Sequence, residues 1–399
     1  MTAPALNPNL AAVFAPPVME ARRWLAEAEF PKERPLLNIS QAAPVDPPPA
    51  ELAKAMAEAL IEQPDSHIYG PVLGNTDLRE QIATDWSAHY GGAKRAQITP
   101  DQVAITAGCN QAFCTAVMTL CAPGDAIMVA VPWYFNHKMW LDMAGVESRL
   151  IPCDETMLPD LEAARAAMDD RVKGILLITP NNPTGAEYPD GLMEGFYDLA
   201  REHGAALIVD ETYRDFHSAS GAPHSLFQRP DWAETLIHLY SFSKVFRLTG
   251  HRVGAMVTGA KRLAEAEKFL DTVTICPAQI GQIGALYGLR NLHQWVAGER
   301  DEILRRRAAV TDVFARLLPD WQLLGAGAYF AYAAHPYDLP SDQLAQRLVH
   351  EQSLLALPGT MFAPERPEWA GARQLRLAFA NVDPQGLEEM GRRLAAFTP

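Results

Sequence analysis

Lys244 stands between two hydroxyls, Ser241 and Ser243, and Arg252 follows shortly after, in Tyr240-Ser-Phe-Ser-Lys-Val-Phe-Arg-Leu-Thr-Gly-His-Arg-Val-Gly254. An amine in such company suits a Schiff base formed beside a bound phosphate, because hydroxyls and a guanidinium are natural phosphate partners. The apolar stretches 235–240 and 252–258 flank it and read as buried strands, which puts the lysine at a strand end. By itself the stretch favours a plainer reading, a solvated lysine on a polar loop, since most lysines are exposed.

Three further stretches change that balance, and a fourth is weak by itself. Asp210-Glu-Thr-Tyr213 follows the apolar run 206–209, so its first carboxylate lies at the C-terminal edge of a strand, where α/β ligands bind. Asn181-Asn-Pro-Thr-Gly185 follows the run 174–178. Arg376 sits in Gln374-Leu-Arg-Leu-Ala-Phe379, a strand-like stretch in which a buried arginine needs an anionic partner. Thr106-Ala-Gly-Cys-Asn-Gln-Ala-Phe113 is a strand-to-helix turn whose backbone N–H groups can face an anion. Each has a bland counterpart: a helix cap, an Asn-Pro-x-Gly turn, a structural ion pair, an ordinary glycine turn.

In this order and spacing the set resembles the class I/II aminotransferases, the fold type I enzymes that use pyridoxal phosphate, from about Leu36 to the C-terminus. The resemblance implies that Lys244 carries the cofactor as a Schiff base and that Asp210 keeps the ring nitrogen protonated. It implies that Tyr213 and Asn182 hydrogen-bond the ring oxygen, with a cis bond at Asn182-Pro183. Gly108, Cys109, Asn110, Ser241, Ser243 and Arg252 are then the phosphate partners. Tyr134, in Val131-Pro-Trp-Tyr-Phe-Asn136, is the aromatic that stacks on the ring, with Trp133 and Phe135 as neighbours open to the same part. Arg376 binds the substrate α-carboxylate as a guanidinium fork, together with Asn182 and with Ala42 of the mouth segment Gln41-Ala-Ala-Pro-Val-Asp-Pro-Pro-Pro49. Tyr69, in Tyr69-Gly-Pro-Val-Leu-Gly-Asn-Thr-Asp-Leu-Arg79, reaches the phosphate of a neighbouring subunit, which implies a homodimer with shared sites.

The implied activity is transfer of an amino group from an α-amino acid to a 2-oxo acid by a ping-pong mechanism, with Lys244 moving the proton as base and acid. A pyridoxal-phosphate-dependent C–S lyase, working by β-elimination, uses the same residues and is the alternative. A cofactor-sensing regulator on this fold needs a DNA-binding domain, for which the stretch before Leu36 is too short, and a non-catalytic scaffold is at odds with an intact lysine. Some positions depart from the family pattern. His251 stands where many relatives have tryptophan, Ala42 where glycine is frequent, and Asn110 where one aspartate-using subgroup has lysine. Arg22, Arg23 and Arg247 are the candidates for a distal carboxylate, and none is assigned, so the substrate side chain stays open.

These residues need a frame. Apolar runs at 103–106, 126–130, 147–151, 174–178, 206–209, 236–240 and 254–258 alternate mostly with helical stretches. The alternation predicts an α/β fold: a large domain with a mainly parallel seven-stranded sheet covered by helices on both faces, plus a smaller α+β domain. The expected division is 1–50 as an N-terminal arm and part of the small domain, 51–283 as the large cofactor-binding domain, and 284–399 as the small domain, opened by one long helix over 284–318. Helices are also expected over 18–29, 51–61 and 78–89, and a short strand over 36–40.

The 399 residues, 48% hydrophobic and 21% charged, are ample for a large core. A formal net charge of -14 argues against sequence-independent nucleic-acid binding and against anionic membranes. The five cysteines form no CxxC pair and no zinc-type spacing, so no metal site is expected and reduced thiols in a cytoplasmic compartment are the simplest reading. No basic residue precedes Arg22 and the apolar stretch 10–15 is short, so no signal peptide is expected, and no run reaches the ~18 apolar residues of a membrane span.

Overall fold

The computed structural model describes residues 4–91, 97–366 and 369–399. A short strand, β1 (Leu37–Asn38), precedes the main sheet, which is built from β2 (Val103–Thr106), β3 (Ala126–Val131), β4 (Glu147–Pro152), β5 (Val172–Ile178), β6 (Ala206–Asp210), β7 (Leu236–Ser241) and β8 (Gly254–Val257). All seven expected runs are strands of this one sheet, in the order β2-β8-β7-β6-β5-β3-β4. Only β8 runs antiparallel to its neighbours, β2 and β7. The other neighbouring pairs are parallel.

The strands are apolar throughout because both faces are covered. Side chains alternate across the sheet. Ile127, Val129, Leu176, Ile208, Ile237 and Leu239 join one apolar cluster with Phe113 of helix Cys109–Leu120. Met128, Ile175, Leu177, Leu207, Val209 and Leu236 join the other with Trp86, Phe196 and Tyr197. Those come from helices Thr76–Tyr90 and Asp190–Glu202.

A second, four-stranded sheet contains β9 (Gln322–Gly327), β10 (Phe330–Ala334), β12 (Leu357–Pro358) and β13 (Gln374–Ala378), in the order β12-β13-β10-β9. β1 pairs in parallel with β11 (Leu354–Leu355), which ties the N-terminal segment to the C-terminal part of the chain. The expected N-terminal helices form as Pro17–Ala26, Ala50–Glu62 and Thr76–Tyr90, and the first has its proline at a position where the missing N–H is harmless.

One expectation is corrected. The helix foreseen over 284–318 is two helices, Gln279–Asn291 and His293–Leu317, broken at Leu292 (φ -104°, ψ 19°). The break lets them serve different partners. A Cβ on Gly284 would come within 2.8 Å of Met56 Sδ, so the first helix seats closely on helix Ala50–Glu62. The second reaches elsewhere: Arg300 donates to the carbonyls of His217 and Ser218, at 2.8 and 2.7 Å. No helix among the described residues is long and apolar enough to cross a membrane.

Candidate active site

The carboxyl ends of β2, β3, β5, β6 and β7 open on one cavity of about 250 Å³. β6 ends in Asp210, which lines it, as does Tyr213 three residues on. β7 ends in Ser241, whose Oγ accepts from Ser243 N at 3.2 Å and so starts the one-turn helix Phe242–Val245 that turns Lys244 into the cavity. Asn182 arrives from the loop after β5, Tyr134 from the loop after β3, and Cys109 with Asn110 from the first turn of the helix after β2. Asn182-Pro183 is cis, as are Val131-Pro132 and Thr179-Pro180.

Arg252 completes the wall from a left-handed backbone conformation (φ 48°, ψ 63°), which a non-glycine residue adopts only at a cost. Its guanidinium donates to Thr249 O at 2.9 Å and Ser243 Oγ at 3.4 Å. It lies against Gly108, where a Cβ would come within 2.9 Å of Arg252 Cζ, and Gly108 itself is at φ +83°. The positive φ is what favours glycine there.

The charges are set by burial first. Burial lowers the Lys244 amine to about 8, and the neighbouring Arg252 and Arg376 push in the same direction. Burial pushes the Asp210 carboxyl up, but His137 and Thr212 outweigh it and hold the group below its ordinary value. Thr212 N donates to Asp210 Oδ1 at 3.0 Å, and His137 Nε2 lies 3.4 Å from Oδ2. Burial raises Tyr134 to about 12 and Tyr213 well above its usual range, so both are phenols at neutral pH.

The sequence profile of the family described as aminotransferase class I and II matches residues 34–394. The chain belongs to the class I and II aminotransferases. An aromatic aminotransferase of Arabidopsis thaliana is 28% identical over 391 residues, covering 95% of this chain and 92% of that protein. A valine–pyruvate aminotransferase of Mycobacterium tuberculosis is 28% identical over 396 residues, covering 96% and 97%. The solved aspartate aminotransferase of Thermus thermophilus with maleate has a TM-score of 0.87 at 24% identity, covering 98% and 99%, a likeness of fold. The chain is thus a pyridoxal-phosphate-dependent aminotransferase that moves an amino group between an α-amino acid and a 2-oxo acid, and the C–S lyase alternative is not favoured.

The residues present fit that cofactor. The N-terminal end of a twelve-residue helix, two serine hydroxyls and the Arg252 guanidinium surround a glycine-floored corner, a cradle for a phosphate. Asp210 is a buried carboxylate available to a ring nitrogen, and Tyr134 is a flat apolar partner at the cavity wall. Its neighbours turn elsewhere: Trp133 N–H groups donate to the carbonyls of Phe362 and Met361, and Phe135 packs on Phe362.

Four expected residues do not line the cavity. Gly108 lies beneath it, against Arg252. Arg376 is buried beside it, donating to Asn182 Oδ1 at 3.0 Å and to Ser40 O, with Phe330 and Phe362 each 5.0 Å away. Ala42 is buried off the cavity, and Tyr69 is 76% exposed on the outside of the chain. Arg22 and Arg23 are exposed and Arg247 is bound to Glu299 at 2.7 Å, so none of the three faces the cavity.

Sequence reasoning missed Ile178, Thr212 and His137. The last had a legible signal. It follows Tyr134 by three positions in the opening turn of helix Phe135–Ala144, which brings both side chains to one face, and their rings lie edge to face at 5.0 Å.

Proposed function

We propose that Lys244 is the residue that holds the cofactor and moves the substrate proton, and that Arg376 anchors the substrate α-carboxylate. Arg376 carries this reading. It is a buried guanidinium with its Nε unpartnered, and among the described residues no carboxylate lies within ion-pair distance of it. Burial lowers its pKa to about 10, against the neighbouring Tyr213, Tyr134 and Tyr332, so it is still a cation at neutral pH. A buried cation without an anion calls for one from outside, and its bond to Asn182 ties it to the cavity wall.

The bound cofactor supplies an electron sink, and the chain supplies the rest. Asp210, oriented by Thr212 and His137, holds a proton at the ring nitrogen. Tyr213 and Asn182 donate to the ring oxygen. Gly108, Cys109, Asn110, Ser241, Ser243 and Arg252 hold the phosphate, and Tyr134 covers one ring face. Lys244, whose amine is made less basic by burial, takes the Cα proton as base and delivers it as acid to C4′ of the cofactor.

The active unit on this reading is a cytoplasmic homodimer in which Tyr69 serves the partner's phosphate. Exposed Leu60, Ile61, Ile68, Val273 and Ile275 supply apolar surface for such a contact. Residues 51–283 form the large domain, and 284–399 together with 1–50 form the small one; the β1–β11 pairing supports the second grouping. Ala42 lies in the segment at the mouth of the site and contributes to substrate binding there.

The test is Arg376→Ala. Loss of charged hydrogen bonds worth about 1.5–3 kcal/mol each should lower kcat/KM for amino acids on the order of 10²-fold or more. The loss should be much smaller for an amine that lacks the carboxylate. An equal loss for both substrates would refute the anchor.

A further inference from the structure

Asp210 has a part in this chemistry, but its neighbour in the chain, Glu211, has none. Glu211 is fully buried. Strand β7 shows which side it faces. Ile237 and Leu239 point into the same cluster as Phe113, whereas Leu236 and Tyr240 point into the cluster of Trp86 and Phe196. His238 falls on the second side, and its Nε2 lies 2.7 Å from Glu211 Oε2. Glu211 therefore looks away from the cavity that Asp210 lines.

Oε2 of its carboxylate is held by Tyr90 and His238, while Oε1 faces His224 without a hydrogen bond. Tyr90 Oη donates to Oε2. Trp86 Nε1, which can only donate, lies 3.4 Å from His238 Nδ1, so that nitrogen accepts and the histidine proton sits on Nε2, facing Glu211. His224 Nδ1 accepts from Leu226 N at 3.3 Å, which again leaves the proton on Nε2, 3.4 Å from Glu211 Oε1. Arg214 donates to Tyr90 Oη at 3.4 Å and lies over the Trp86 ring at 3.9 Å and the Tyr240 ring at 4.5 Å. Tyr240 Oη donates to Asp215 at 2.5 Å. A buried carboxylate is expensive unless it is hydrogen-bonded, so the donors on Oε2 hold Glu211 in place.

The cluster grips the two strand ends that carry the chemistry. Glu211 directly follows Asp210 and donates its backbone N–H to Leu239 O at 2.9 Å, bridging β6 to β7. Tyr240 directly precedes Ser241, and Lys244 follows within one turn. We propose that Glu211 is a positioning residue: from the face opposite the cavity it fixes Asp210, and with it the separation of Asp210 from Lys244. The inference rests on the roles proposed above for those two residues.

Glu211→Gln tests it, because the amide keeps the shape but turns an N–H₂ toward groups that also donate. In the holoenzyme kcat should fall about 10- to 100-fold with KM near wild type, as for a small misplacement of a catalytic group. The pH at which the absorbance of the bound cofactor changes should shift as well. The deciding measurement is a double-mutant cycle on the single-turnover rate with Asp210→Asn. If Glu211 acts through Asp210, Glu211→Gln adds little in the Asp210→Asn background. Multiplying effects, or an unshifted absorbance titration in Glu211→Gln, would overturn the positioning role while leaving the site intact. An Asp210→Asn enzyme as fast as wild type would overturn both. If Glu211→Gln does not fold, Tyr90→Phe removes one donor and should move rate and titration in the same direction to a smaller degree, and no movement there would also overturn the proposal.

Discussion

At Lys244 three influences act on one amine. Burial removes the water that would solvate an ammonium, and Arg252 and Arg376 repel the charge, so the proton leaves near pH 8 instead of 10.5. Only the neutral amine is a nucleophile or base. In cofactor-free protein the rate at which Lys244 reacts with a small aldehyde should therefore rise with pH and reach half its plateau near 8. Arg252→Gln should move that midpoint upward. The same shift has a stability sign. Between about 8 and 10.5 the unfolded lysine keeps a proton that the folded one has lost, so this group's contribution to stability increases with pH across that window. Lys244→Ala should remove nearly all turnover, since a positioned acid–base group alone is worth about 10²–10⁴-fold. Wild-type turnover in that variant would sink the assignment. The residue types at this scale were readable from sequence because the chemistry restricts them: an amine, a carboxylate, a phenol and a guanidinium at set places along the chain.

The elements bring those groups together through close backbone approaches. Gly185, at φ +74°, follows the loop that carries Asn182, and a Cβ there would come within 2.6 Å of Phe330 O. Across the same seam a Cβ on Gly325 would come within 2.6 Å of Thr184 O. The hairpin of β9 and β10 thus rests directly on the Asn182 loop, and β13, carrying Arg376, lies beside β10 with Tyr332 opposite Arg376. Gly185→Ala should therefore destabilise by about 1–3 kcal/mol, the usual range for a side chain forced into that backbone region. It should also raise KM for the amino acid, because the bond between Arg376 and Asn182 crosses this seam. Chemical denaturation and steady-state kinetics on one preparation would show both, and an unchanged KM would separate the seam from substrate binding. The glycines were visible in the sequence, but which backbone each must admit was not, since their partners lie more than a hundred residues away.

For the whole molecule the exposed Tyr69 is decisive. It does not line its own chain's cavity, and it is 76% exposed beside the exposed Ile68. Mixing Tyr69→Ala with Arg376→Ala chains under subunit exchange should restore activity. In a hybrid dimer one site would then carry both lesions and the other none. Absence of recovery, with exchange confirmed by mass, would assign Tyr69 to its own chain or to no site.

The sequence by itself determined the fold class, the seven strands and most of the cavity. Buried parallel strands must be nearly continuous apolar runs, and functional groups of an α/β sheet gather where those runs end. It did not determine the break at Leu292, since a helical periodicity passes through a single irregular residue without interruption. It named Asp210 for the site but gave no part to Glu211, the adjacent carboxylate. Only the tertiary structure decided that one faces the cavity and the other a buried set of histidines, because the face each takes is set by the strand's pleat and by partners brought from Tyr90, His224 and His238.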